Sequence, residues 1–320
     1  MKRLSYFISL LALIAAVTGC NKKPIQPPYE KGTATTAVGK AIMEKTDLIG
    51  CLYTDEQKTI TDGLTCTFLH YLGNDGAPMR IWFIKAETDK ANISFSQTWG
   101  GESFQSEMEP LSKMIGRIDT DDNYVWAAIN SDFGSDAQRG PQGIFHHNGT
   151  CYKSTFNVLS TNPDRPRCFW YMTPDGKIDM ADQADYAAIK SAKTIVEASA
   201  GGPLLIDHGA IVNIPEQSDG LTDRHPRTAI GVEEDGTTIW MMVADGRRYT
   251  WSNGLQYPAM CAIMQAVGCY NMMNLDGGGS SEMLVKSTDP SKKYEILNWT
   301  NDNGGSERSL ATGLYIATKK

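Results

Sequence analysis

The stretch Asn274–Glu282, NLDGGGSSE, decides the fold class by what stands on either side of it. Three adjacent glycines weaken helices and strands alike, so a chain places them where the backbone turns sharply or approaches a ligand. Upstream, Gln256–Val267 is predicted to be a helix: it is rich in Ala, Met, Ile and Gln, tolerates Pro258 in its first turn and stops at Gly268. Residues 270–275 (YNMMNL) then read as one strand and residues 281–286 (SEMLVK) as another. That order matters. A dinucleotide fingerprint or a P-loop sets its glycines between a strand and a following helix, whose N-terminus holds the phosphate. Here a strand follows. The chain has no GxGxxG, GK[ST] or GxSxG motif, which also argues against a triad built on Ser280 or Ser281.

Outward from this turn, Asp-Gly pairs recur at 62–63, 75–76, 175–176, 219–220, 235–236 and 245–246. Asp tolerates left-handed backbone and Gly lacks a Cβ, so each pair marks a tight turn. Between them lie short apolar runs that read as strands: RIWFIKA, YVWAAIN, CFWYMT, PLLID, TAIGV, TIWMMVA, EMLVK and TGLYIAT. Two more helices are predicted, over Phe104–Arg117, with Met108, Leu111, Met114 and Ile115 on one side, and over Ala181–Lys193. Many strands and few helices give an α+β fold around a mixed, mostly antiparallel sheet. No Pro/Ser/Gly linker interrupts residues 41–320, which are read as a single large domain, and an apolar fraction of 41% suffices for its core.

The N-terminus addresses location. Lys2 and Arg3 precede an apolar run, Leu4–Val17, that is short for a membrane span and typical of a signal peptide. Val17-Thr18-Gly19-Cys20 resembles a bacterial lipobox, so residues 1–19 are expected to be removed and Cys20 lipidated. Residues 20–40 then read as a flexible tether. By analogy with bacterial sorting, Asn21 favours the outer membrane. Loss of Lys2 and Arg3 takes the net charge from −7 to −9, an acidic balance that argues against nucleic acid as a partner. Six further cysteines in an exported chain are expected to form disulfides, most simply 51–66, 151–168 and 261–269. There is no CxxC pair for zinc.

Two segments carry candidate chemistry. Asp276 ends an apolar strand, where a carboxylate either serves a site or caps its own turn. The amides of Gly277, Gly278 and Gly279 could cradle an anion. Arg224–Gly231, RHPRTAIG, leads two arginines and a histidine into a strand, with Arg227 and Thr228 at its mouth. Arginine's planar fork suits phosphate and carboxylate.

RHPRTAIG, MMVADGR, a helix, NLDGGGSS and GGSERSLATGLYI, in that order, resemble the phosphodiester glycosidase family. AINSDF (128–133) and SAGGPLLIDHG (199–209) extend the likeness over residues 124–320. Ser131 and Asp132 depart from the family's glycines after Asn130, and residues 41–120 match nothing recognisable. The family's animal member removes N-acetylglucosamine from a phosphodiester on mannose-6-phosphate glycans. The resemblance implies that Arg227, Thr228, Asn130, Gly277–Gly279, Ser280 and Arg308 bind substrate or shape the pocket. It implies that these converge on one cavity with Asp276, Asp245 and Glu307; for the catalytic carboxylate Asp276 is the first candidate, with Glu307 and Asp245 behind it.

The chemistry is coherent. When an anomeric C–O bond breaks in a sugar phosphodiester, a phosphate monoester leaves, so a strong general acid matters less than in ordinary glycosidases. Charge neutralisation on the phosphate and one carboxylate at the sugar matter more. No cofactor is expected. The rival for the acids is a calcium or magnesium site from Asp132, Asp136, Asp245 and Asp276. His146-His147 reads as surface loop and His208 as a turn residue; Trp251 and Trp299 are candidates to stack on a sugar. The functional rivals are a non-catalytic glycan-binding lipoprotein and a phosphodiesterase cutting P–O.

Overall fold

The computed structural model describes residues 30–90, 92–157, 166–214, 219–300 and 304–319. The stretch expected to be signal peptide, Cys20 and most of the tether lie outside them. Gly32–Lys320 is one compact unit.

Every ladder between the main strands runs antiparallel among the described residues. The largest sheet has eight strands, in the order Ile49–Thr61, Leu64–Gly73, Pro78–Glu87, Thr238–Ala244, Arg227–Val232, Asn271–Asn274, Leu204–Asp207 and Ala210–Ile211. A five-stranded sheet is built on Cys168–Met172 and Glu197–Gly201. Another is built on Asn123–Asn130 and Thr312–Lys319.

The sequence pattern follows from burial on both faces. Alternate residues of Thr238–Ala244 enter different cores. Trp240, Met242 and Ala244 pack with the helices Ala37–Lys45 and Tyr257–Ala266, while Ile239, Met241 and Val243 pack with residues of the five-stranded sheets. A strand covered on both faces shows a continuous apolar run instead of alternation. TIWMMVA and RTAIGV are such runs, fully buried along their length.

Helix ends shift from expectation. Phe104–Arg117 shrinks to Leu111–Ile118, because Pro110 opens that helix and Glu109 is drawn into a bridge with Leu310. Ala181–Lys193 becomes a 3-10 turn, Gln183–Asp185, followed by Tyr186–Ala192. Residues 37–40, read as tether, begin the first helix, whose N-cap Thr36 is tied to Asp55.

None of the expected disulfides forms; all six described cysteines are free. Cys51 stands opposite Leu72 and Cys66 opposite Lys58, six register steps apart on one hairpin, or roughly 20 Å at strand rise. Cys151 and Cys168 are separated by three strand-to-strand steps, through His146, Ala198 and Tyr171. The Cys261 thiol donates to the Leu205 carbonyl, while Cys269 packs against Gly231.

Candidate active site

At one end of the large sheet a cavity of about 290 Å³ opens over the glycine turn. Arg227 begins one central strand and Asn274 ends its neighbour, two registers along, so both motifs arrive at the same edge. A larger cavity, about 540 Å³, lies between the first helix and the first hairpin, but it gathers no comparable set of arginines.

The floor is held by Asn130. Its Nδ2 donates to the Asp276 carbonyl at 2.6 Å, and its Oδ1 accepts from Thr228 Oγ1 at 2.7 Å and from the Glu282 amide at 3.1 Å. One side chain thus ties three segments together across the turn. Thr228 is fully buried and does not line the cavity: it organises the floor through Asn130. The departures at Ser131 and Asp132 keep the loop in place. The Ser131 carbonyl accepts from the Asp276 amide at 3.0 Å. Asp132 pairs with Arg167 at 2.5 Å and accepts from the Gly143 amide.

The turn is a single 3-10 turn, Gly278–Ser280. Two of its amides are already engaged. Gly277 donates to Asp276 Oδ1 at 2.9 Å, and Gly278, with φ +63°, donates to the Pro226 carbonyl at 2.9 Å. The expected cradle of three glycine amides is therefore mostly spent inside the protein.

Positive charge comes instead from side chains. Arg227 donates to the Leu255 and Asp223 carbonyls at 3.0 and 3.2 Å and lies 4.6 Å over the Tyr257 ring. These bonds fix the orientation of the fork. Arg247 lies over Gly278 and donates to His225 Nδ1 at 3.2 Å. Arg308 reaches Ser280 Oγ at 3.4 Å. Among the described residues three guanidiniums and one carboxylate thus line the cavity. Arg247, His225, Phe133 and Tyr257 line it as well, and sequence reasoning assigned them no role. Arg247 and His225 stood in the quoted ADGR and RHPR segments, so arginine density beside the motif was the signal.

Asp276 keeps part of its surface open to the cavity while protein encloses the rest. Burial pushes its carboxyl up to about 6, against the pull of Ser280, Arg308 and the Gly277 amide. The other two candidate acids are elsewhere. Asp245 is enclosed: it accepts from Trp251 Nε1 at 2.6 Å, the Trp299 amide at 2.9 Å and Asn298 Nδ2 at 3.2 Å. Burial lifts it too to about 6. Glu307 accepts from the Ser112 amide at 2.7 Å and Ser112 Oγ at 2.6 Å, at the start of the helix Leu111–Ile118. Neither lines the cavity.

The four aspartates weighed for a cation do not converge. Asp132 is paired, Asp136 is exposed and Asp245 is enclosed by donors. Among the described residues no three acidic, His or Cys side chains are grouped to hold an ion. His146 and His147 belong to a strand, not a surface loop: His146 is buried against Tyr186 and His147 meets Glu197 at 3.0 Å. His208 does occupy a turn, with φ +48°. Trp251 braces Asp245, and Arg80 covers one face of its ring at 3.9 Å.

Fold and cavity define a class: an α+β protein of antiparallel sheets whose arginine-rich cleft opens over an Asp-Gly-Gly-Gly turn. The profile of the phosphodiester glycosidase family matches residues 123–317, more than half of the chain, and the protein belongs to that family. It is similar to the catalytic domain of zebrafish N-acetylglucosamine-1-phosphodiester alpha-N-acetylglucosaminidase, solved auto-inhibited by its pro-peptide. That likeness covers 91% of this chain and 96% of that one, with a TM-score of 0.61 and 14% identity. A coverage of 91% reaches well before residue 123, so the N-terminal strands share the fold too. A hypothetical protein from Synechocystis aligns over 83% of this chain and 64% of its own, with a TM-score of 0.56 and 13% identity. In sequence, the SPbeta prophage-derived uncharacterized protein YomE of Bacillus subtilis (strain 168) is 37% identical over 97 residues. The matched segment is 30% of this chain and 13% of YomE.

Proposed function

We propose that the protein hydrolyses the anomeric C–O bond of a glycosyl phosphodiester such as N-acetylglucosamine-α-phospho-mannose. The observation that carries this reading is that, among the described residues, one carboxylate, Asp276, lines the cavity together with three arginines. An ordinary glycosidase needs two carboxyl groups, one to protonate the departing oxygen. A departing phosphate monoester needs cations instead, and Arg227, Arg247 and Arg308 supply them. Asp276 then stabilises the oxocarbenium-like sugar, attacks it, or takes a proton from the incoming water. The placement of Asp245 and Glu307 outside the cavity fits this economy of acids. The setting is an exported enzyme anchored by lipid at Cys20, in the outer membrane, acting on glycans or wall polymers.

Hydrolysis of N-acetylglucosamine-α-phospho-mannose in oxygen-18 water tests the reading. Label in the released sugar is the expected result. Label in the phosphate would mean P–O cleavage, and binding without turnover would mean a glycan-binding lipoprotein.

A further inference from the structure

Glu282 closes the NLDGGGSSE motif, and its side chain is fully buried. Among the described residues neither carboxyl oxygen receives a hydrogen bond. A buried carboxylate with no donor is too costly to keep charged, so the group holds its proton. The neighbouring group that acts on it is Glu307. Glu307 is placed to be the charged partner. Pro110, at the N-cap of the helix Leu111–Ile118, offers no side-chain cap. Glu307 takes that place from far along the chain, accepting from the Ser112 amide at 2.7 Å and Ser112 Oγ at 2.6 Å. A helix N-terminus favours the anion.

We propose that Glu282 is a positioning residue: its protonated carboxyl donates to the Glu307 carboxylate, and this clasp sets Arg308 at the phosphate site. Arg308 is the next residue in the chain and lines the cavity beside Ser280. The clasp joins the glycine turn, through Glu282, to the helix Leu111–Ile118, through Glu307. The cations of that helix, and Asp245, are committed elsewhere. Lys113 pairs with Glu109 at 2.7 Å, Arg117 also pairs with Glu109, and Asp245 is enclosed by its own donors. Consistent with the geometry, burial and Glu307 together push Glu282 up to about 10.

The clasp rests on the reading of Arg308 as an anion ligand, so its test uses inorganic phosphate and not turnover. At pH 8 ordinary carboxyl groups are ionised, so a carboxylic-acid carbonyl band in the infrared spectrum of the full-length protein reports a retained proton. That band is expected in the wild type and absent from Glu282→Gln. Gln keeps a donor to Glu307 but cannot ionise, so phosphate affinity by calorimetry should stay within about twofold of wild type. Glu282→Ala should bind phosphate about tenfold more weakly. At pH 10.5 wild-type affinity should fall and that of Glu282→Gln should hold. An identical infrared spectrum for wild type and Glu282→Gln would overturn the clasp, as would a Gln variant as weak as the Ala variant. If Glu282→Ala fails to fold, the infrared band and the pH response of Glu282→Gln still decide. Failure to release sugar from any phosphodiester would sink the enzymatic reading while leaving these measurements intact.

Discussion

Asp276 and Asp245 carry the same electrostatic mark in different surroundings. Burial pushes both carboxyls up to about 6. Asp245 spends its oxygens on Trp251, Asn298 and the Trp299 amide, and is 1% exposed. Asp276 faces a cavity rimmed by Arg227, Arg247 and Arg308. A raised pKa therefore records desolvation, which a structural brace and a reacting group share. What separates them is whether a substrate can reach the carboxyl. Asp245 is closed off behind its donors, and Asp276 is open to the cavity.

The sharpest way to break the comparison is to neutralise each acid in turn. Asp276→Asn should lower turnover of the sugar phosphodiester by about 10²–10⁴-fold, the usual range for a lost acid–base or stabilising carboxylate, with no loss of thermal stability. Asp245→Asn should do the reverse: it puts an amide donor against existing donors and lowers stability by about 1–3 kcal/mol, measured by denaturant unfolding, while the folded fraction still turns over. If Asp245→Asn abolished turnover in fully folded protein, the distinction between brace and reacting group would fail.

The two acids should nevertheless respond alike to pH. Their folded values lie above the ordinary carboxylate value, so the unfolded chain releases its protons first. The stabilising contribution is complete below about pH 4 and is lost as pH rises through about 6. Each group should remove about 2–3 kcal/mol over that window, and each Asn variant should flatten the unfolding-energy curve by one such step. An unflattened curve for either variant would show that its carboxyl is not desolvated as the fold implies.

Arg247 sharpens the comparison from the cavity side. It is exposed and held by His225, so removing it should leave the fold alone. Arg247→Ala should weaken inorganic phosphate binding about tenfold by calorimetry, the cost of one charge-assisted contact. Unchanged affinity would remove Arg247 from the site.

The parts legible in the sequence were those fixed by local pattern. RTAIGV and TIWMMVA declared themselves because both faces are buried, and the glycine turn because it stands between two strands. The hairpin Ile49–Thr61 with Leu64–Gly73 did not, although Asp62-Gly63 marked its turn. Its first strand is mostly half-exposed and polar, IGCLYTDEQKTIT, so no clean apolar face shows. Side-chain roles were harder still, because they are set by distant partners. Glu307 looked like a catalytic acid until Ser112 claimed it, and Asp245 until the loop carrying Asn298 and Trp299 closed over it. Asp276 survived as a candidate because the features that expose it, a strand end and a flexible turn, are local.

The glycines themselves give the smallest and most specific test. Gly277 and Gly278 are needed for different reasons. At Gly277 an added Cβ would stand 2.9 Å from the Pro226 carbonyl, a backbone atom that the strand mouth holds in place. At Gly278 it would stand 3.1 Å from the Arg247 guanidinium, the movable end of a long side chain, but the backbone sits at φ +63°. Gly278→Ala should therefore cost about 1 kcal/mol of stability from left-handed backbone alone, and should weaken phosphate binding only to the extent that Arg247 is displaced. Combining it with Arg247→Ala tests that coupling. If Arg247 is the route, the double variant binds phosphate no more weakly than Arg247→Ala, and its stability loss equals that of Gly278→Ala. A further loss of affinity in the double variant would mean that the turn itself, and not the arginine resting on it, holds the anion.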